Sequence, residues 1–280
     1  MLRKKILVGL FVTLSWAINM PAVIAQSLLP FTLELDQKQL EETGLSLAEE
    51  AVQLARFQQL PMALGRAQLA TQLAPTRYQT WALLGSLYIQ NEELDAGIDA
   101  LQKAQALAPQ EAEILFVLGR AYFQQNDFVK AIANLERGLK IKPEAPNALF
   151  DLGNAFYKQA AYERAIAQYE KAIALDKNIW PAINNIGLVK YEMGDRVAAM
   201  QKWREALAID KEAAEPLLAL AVALYIEGDR EEGLLLGESA LRLDIRYGEI
   251  EYLQENLWGE KLIRDTEVFF TEPAIRKILS

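Results

Sequence analysis

The side chains that most enzymes use as bases and nucleophiles are missing from this chain of 280 residues, which has no histidine and no cysteine. That removes imidazole triads, thiolate nucleophiles, disulfides and the usual zinc sites. Carboxylates, lysines and tyrosines remain. Acidic clusters such as Glu92–Glu93 and Glu231–Glu232 fall at turns or helix starts, where negative charge meets the helix dipole. A solvated surface explains them more simply than a metal site. Gly85, Gly119, Gly153 and Gly187 invite a phosphate-loop reading, but they occur singly inside segments of helical period. A carboxylate pair on a helical toroid, acting as a hydrolase, is the one enzymatic alternative left, and helical hairpins as short and regular as these argue against it. The expectation is a protein with no catalytic residue, no metal and no cofactor.

Charge and the N-terminus narrow the partners. The formal charge is −9, which argues against nucleic acid, because phosphate binding needs clustered Lys and Arg. Arg3, Lys4 and Lys5 precede an apolar run of 20 residues. Val23 and Ala25 then place small residues where a signal peptidase reads them. Residues 1–25 therefore read as a signal peptide or a membrane anchor, and Asn19 and Pro21 favour cleavage over a spanning helix. Either way the basic end stays cytoplasmic and the rest is sent across, so a periplasmic or lumenal location is expected, with membrane association only through the N-terminal segment. A lipidated anchor is excluded because no cysteine follows the apolar run.

The elements that would carry any site come from self-similarity at a step of 34 residues. "WALLGSLY" from Trp81, "LFVLGRAY" from Leu115 and "LFDLGNAF" from Leu149 superimpose, and "INNIGLVK" and "LLALAVAL" continue them. Gly97, Ala131, Ala165, Ala199 and Gly233 keep the same register, as do Ala104, Gly138, Ala172, Ala206 and Ala240. Pro75, Pro109 and Pro143 close three successive units. Within a unit the apolar residues at positions 4, 7, 8 and 11 share one helical face, and positions 20, 24 and 27 form a facing stripe on a second helix. Small residues at 8 and 20 are expected to touch, as Gly153 and Ala165 would. Asp127, Asp195 and Asp229 stand where they could cap the second helix, Asp229 with Glu232 at capping-box spacing.

These residues resemble the tetratricopeptide (TPR) repeat. The resemblance implies an all-α fold: a right-handed superhelical solenoid of about six helix–turn–helix units, starting at 44, 78, 112, 146, 180 and 214. Residues 26–43 would be a linker, 44–247 the solenoid and 248–280 closing helices over its exposed end, carrying Ile250, Leu253, Leu257, Leu262, Val268 and Phe269.

In such solenoids, positions 2, 5, 9 and 12 of each first helix line a concave groove. Here that implies a partner-binding set of Phe116, Arg120, Phe123, Phe150, Asn154, Tyr157, Asn184, Leu188, Tyr191 and Tyr225, with Asn185 beside them. Aromatics and amides suit an extended peptide or a helix of a client protein. Asn154 and Asn185 match the two asparagines of the carboxylate clamp in chaperone-binding TPR domains. Phe150, Glu215 and Ala219 stand where its cations belong, so the clamp is not expected. Leader, repeat number and the "LWGEKLIRDTE" tail are similar to cyanobacterial and plastid TPR assembly factors, which include thylakoid partners of the light-dependent protochlorophyllide oxidoreductase. That similarity implies a non-catalytic scaffold in chlorophyll synthesis or photosystem biogenesis. The alternative is an envelope factor for secretion, pilus or outer-membrane assembly.

Overall fold

The computed structural model describes residues 36–280, so the leader and most of the expected linker lie outside the described residues. Those residues contain helices and no strand. Six antiparallel pairs follow in order: α1 (Gln37–Arg56) with α2 (Leu60–Leu73), α3 (Tyr78–Gln90) with α4 (Leu94–Leu107), α5 (Ala112–Gln124) with α6 (Phe128–Ile141), α7 (Pro146–Lys158) with α8 (Tyr162–Leu175), α9 (Trp180–Glu192) with α10 (Arg196–Ile209), and α11 (Ala214–Glu227) with α12 (Arg230–Leu243). From α3 on, each first helix starts 34 residues after the last. The helix α1 begins at Gln37, inside the segment read as linker, because its apolar stripe continues back past Gly44 and packs along α2.

The turn inside each unit is made the same way. Two residues before each second helix the chain passes through positive φ, at Gln58, Glu92, Asn126, Ala160, Gly194 and Gly228, one per unit. Asp127 and Asp195 then accept hydrogen bonds from the main-chain N–H of Lys130 and Ala198, both at 3.1 Å. Asp229 makes no such bond, so the capping box expected there does not form.

Positions 8 and 20 approach closely, as at Gly85 with the Gly97 carbonyl and Gly119 with the Ala131 carbonyl, and a further residue joins them: Ala165 is fully buried, and the nearest group to Gly153 is the ring of Tyr169, at position 24. The same pairing recurs as Gly85 with Leu101, Gly119 with Leu135 and Gly187 with Trp203. The glycine at position 8 thus makes room for a progressively larger side chain, and position 20 approaches only its backbone.

First helices of neighbouring units touch one another in the series α1, α3, α5, α7 and α9, while the second helices do not meet to the same extent. The first helices therefore form the inner, concave side. After α12 come a 3₁₀ turn (Ile245–Gly248), α13 (Ile250–Glu255), α14 (Glu260–Phe270) and α15 (Pro273–Leu279). This tail does more than close an end. The helix α14 lies across α9 and α11, the inner helices of the last two units, and α15 packs on α12. Of the apolar residues expected to anchor it, Leu253, Leu257, Leu262 and Phe269 are buried, whereas Val268 is exposed.

Candidate functional site

In the second to fifth units position 24 of the second helix fills the slot above the position-8 glycine, but in the sixth position 24 is itself a glycine, Gly237. Phe269 enters from α14 instead, packs against Gly237 and meets Tyr225 edge-on, ring centroids 5.3 Å apart. Polar contacts hold α14 at its other points. The Glu192 carboxylate accepts from the main-chain N–H of Lys261 at 3.0 Å and Leu262 at 3.1 Å, capping the helix from α9. Gly259 lets that carboxylate come close, since any side chain there would collide with it. Tyr191 donates to Asp265 at 2.5 Å, and Arg196 bonds the same carboxylate. The Tyr225 hydroxyl donates to Glu272.

This arrangement decides which sequence-predicted groove residues are available. Tyr191 and Tyr225 are covered by α14, and Leu188 belongs to the same apolar cluster as Leu262, Ile263 and Phe269. Phe116 is buried over Gly138, which is why that position is glycine. Asn184 and Asn185 are buried between units, and Tyr157 is buried against Tyr162. These seven are packing residues, contrary to the expectation that they lie free in a groove. Arg120 is exposed, and Phe123, Phe150 and Asn154 are half-buried at the inner surface.

The amides bond one another, although Asn184 Oδ1 is left without a partner. Asn154 Oδ1 accepts from the Tyr169 hydroxyl at 2.8 Å and from Asn185 Nδ2 at 2.9 Å. Asn184 Nδ2 donates to Asn185 at 3.1 Å. Next to Asn184 stands Glu215, which accepts from the Trp258 indole at 3.2 Å and is pushed up to about 7 by burial, against the lowering effect of its Asn184 and Trp258 hydrogen bonds. A polar chain thus runs from the fourth unit through the fifth and sixth into the tail. Burial holds the Tyr169 and Tyr157 hydroxyls neutral well beyond the usual tyrosine range. Asp151 is raised by burial in spite of Arg120, which bonds it at 3.3 Å. Lys158 is lowered by burial.

What stays open is a run of cavities along the inner helices. One is lined by Ser86, Ile89, Gln90, Val117 and Gln124, and the next by Phe123, Leu135, Asp151 and Asn154, with Arg120 and Gln124 shared. A third joins Phe123 and Gln124 to Lys158 and to Glu251, Gln254 and Glu255 of α13. A fourth, of about 790 Å³, continues from Lys158 and Gln254 to Tyr157, Tyr162 and the start of α14. Sequence reasoning missed Gln124, Lys158 and the tail residues. Gly237 was the available signal, a missing side chain where the four preceding units carry Leu101, Leu135, Tyr169 and Trp203. A separate, more apolar cavity of about 740 Å³ lies between α6, α7 and α8, lined by Leu139, Pro143, Leu149, Leu152 and Leu175. Glu136, Lys140, Glu144, Gln168 and Lys171 line it as well. Among the described residues no cluster of potential metal ligands occurs, and no helix is long and apolar enough to cross a membrane.

Comparison with known proteins agrees with the helix pairing. Models of the tetratricopeptide repeat match residues 78–111 and 146–179, and a further TPR repeat model matches 119–160. No curated protein matches the chain by sequence. Among solved structures, PilF of Pseudomonas aeruginosa is similar at a TM-score of 0.64 and 18% identity, covering 79% of this chain and 98% of its own. YrrB, described as a TPR protein with an unusual peptide-binding site, aligns at 0.56 and 19%, covering 65% and 95%. MamA aligns at 0.55 and 24%, covering 62% and 95%. At these identities the likeness concerns the fold.

Proposed function

Since the chain is built from tetratricopeptide repeats, we propose that it is a non-catalytic scaffold that holds a segment of a client protein against α3, α5 and α7. The carrying observation is the continuity of the four cavities, each sharing residues with the next along the inner helices. Half-buried Phe123 supplies apolar contact, and Arg120 and Asn154 supply hydrogen bonds in the same cavity. Interfaces of this kind concentrate their energy in a few such anchors. Asn154 can give its amide N–H to a client backbone, because its carbonyl oxygen is already engaged.

The cellular setting in this reading is exported or membrane-tethered, and its support is the basic and apolar N-terminal segment. A role in chlorophyll synthesis or photosystem biogenesis is supported by the likeness of leader and tail, and envelope assembly is the competing role. One experiment tests the groove directly. A photoreactive residue at Gln124, which lines three of the four cavities, should capture client protein in native membranes. The same residue at Glu170, exposed on α8 and outside every one of these cavities, should not. Equal capture from both positions would overturn the concave-groove reading.

A further inference from the structure

We propose that the segment held in this groove is basic and amphipathic, and that the tail helices α13 and α14 form one wall of its site. The proposal rests on the groove reading above and adds the chemistry of the occupant. The two walls differ. The repeat wall offers Ile89, Val117, Phe123 and Tyr162, an apolar and aromatic surface. The tail wall offers Glu251 and Glu255, one helical turn apart on α13, and Glu260 and Glu267, two turns apart on α14. All four are exposed, and none is engaged in an ion pair or hydrogen bond.

Around the whole groove seven carboxylates face three cations. One of those cations, Arg120, is already tied to Asp151, which leaves Lys158 and Arg264. Acids in that excess create a negative potential between low-dielectric walls, which draws in and orients cationic segments. A helix or strand with apolar residues on one side and Lys or Arg on the other matches both walls at once.

The test uses the full chain and two fluorescein-labelled peptides of about 18 residues, a leucine/lysine and a leucine/glutamate sequence with the same helical leucine period. Anisotropy should show the lysine peptide binding and the glutamate peptide at least about tenfold weaker. The double reversal Glu251→Lys with Glu255→Lys should weaken the lysine peptide about tenfold or more. Glu170→Lys with Glu231→Lys makes the same change in net charge outside the cavities and should leave binding as in the parent. The milder Glu251→Gln with Glu255→Gln should fall between, and it replaces the reversal if that variant melts early. Equal weakening by both reversals would show bulk attraction and overturn the proposal. If the lysine peptide bound every variant alike but still crosslinked from position 124, the charged wall would be refuted while the groove reading stood. Should neither peptide bind, and crosslinks from 124 lead only to a second copy or to residues 1–35 of the same chain, both readings would fall.

Discussion

Replacing Phe269 with alanine should release the tail from the inner face of the last two units. The ring is fully buried, fills the slot over Gly237 and meets Tyr225 edge-on with centroids 5.3 Å apart. Truncating a buried phenylalanine costs about 3–5 kcal/mol, of which an edge-on aromatic contact accounts for about 0.5–1.5 kcal/mol. The tail sets a ceiling on that cost, because once the loss exceeds the free energy of docking, α14 simply lifts off. Repeat arrays transmit stability from neighbour to neighbour, so the damage should stay local. Hydrogen exchange should therefore accelerate in α13, α14 and α15 and on the inner side of α9 and α11, leaving α3 to α6 at parent rates. A hydrophobic dye should bind in proportion, reporting newly bared Leu188, Tyr191 and Tyr225. Gly237→Ala should act in the same direction, since its methyl takes the ring's place, at about 1–3 kcal/mol for overpacking. Parent-like protection of α14 in the Phe269→Ala protein would refute the account of the slot. Uniform loss of protection across all units would refute its locality.

Two further outcomes follow from single groups. Glu215 has its pKa raised in the folded state to about 7, so its contribution to stability is complete below the unfolded value of 4.5 and is lost as pH rises through 7. The loss amounts to at most about 3 kcal/mol. Urea melts at pH 5 and pH 8 should show it, and Glu215→Gln should flatten that difference; an unchanged pH dependence would mean that Glu215 does not set it. Ala160 holds φ at 55°, a left-handed conformation that costs a non-glycine residue about 1–2 kcal/mol. After the extra chain entropy of glycine is counted, Ala160→Gly should stabilise by about 0.5–1 kcal/mol, and a lower melting temperature would show that the turn is not strained.

The repeat was legible because its packing rules are local. A glycine, a small residue and a bulky one at fixed offsets within 34 residues are enough to mark two helices and the turn between them. Positions 8 and 20 do come together, but the larger filler at position 24 was not read, because the Cβ direction at 153 aims at Tyr169. The inner surface was far less legible. Whether Tyr191 is a free anchor or a buried one depends on Asp265, 74 residues away, and no periodicity reports a contact of that span. Asn185 likewise reads as a groove amide until Asn154, 31 residues earlier, is seen to accept its proton. Arg120 and Asn154 remained at the surface because the tail stops short of α5 and α7.

The place of α14 also fixes the order in which this protein can be completed. Synthesis proceeds from the N-terminus, and early elements fold while later ones are still being made. The first four units need nothing from the tail and can close as they leave the ribosome. The fifth and sixth cannot: Leu188, Tyr191, Leu218 and Tyr225 stay uncovered until Glu260–Phe270 has emerged. Residues 245–280 are thus those that finish a surface laid down much earlier. A premature stop or a proteolytic nick just before Gly259 leaves the repeat count intact and yet produces a sticky molecule. For this chain, a tail seated on the inner helices is the mark of a finished fold.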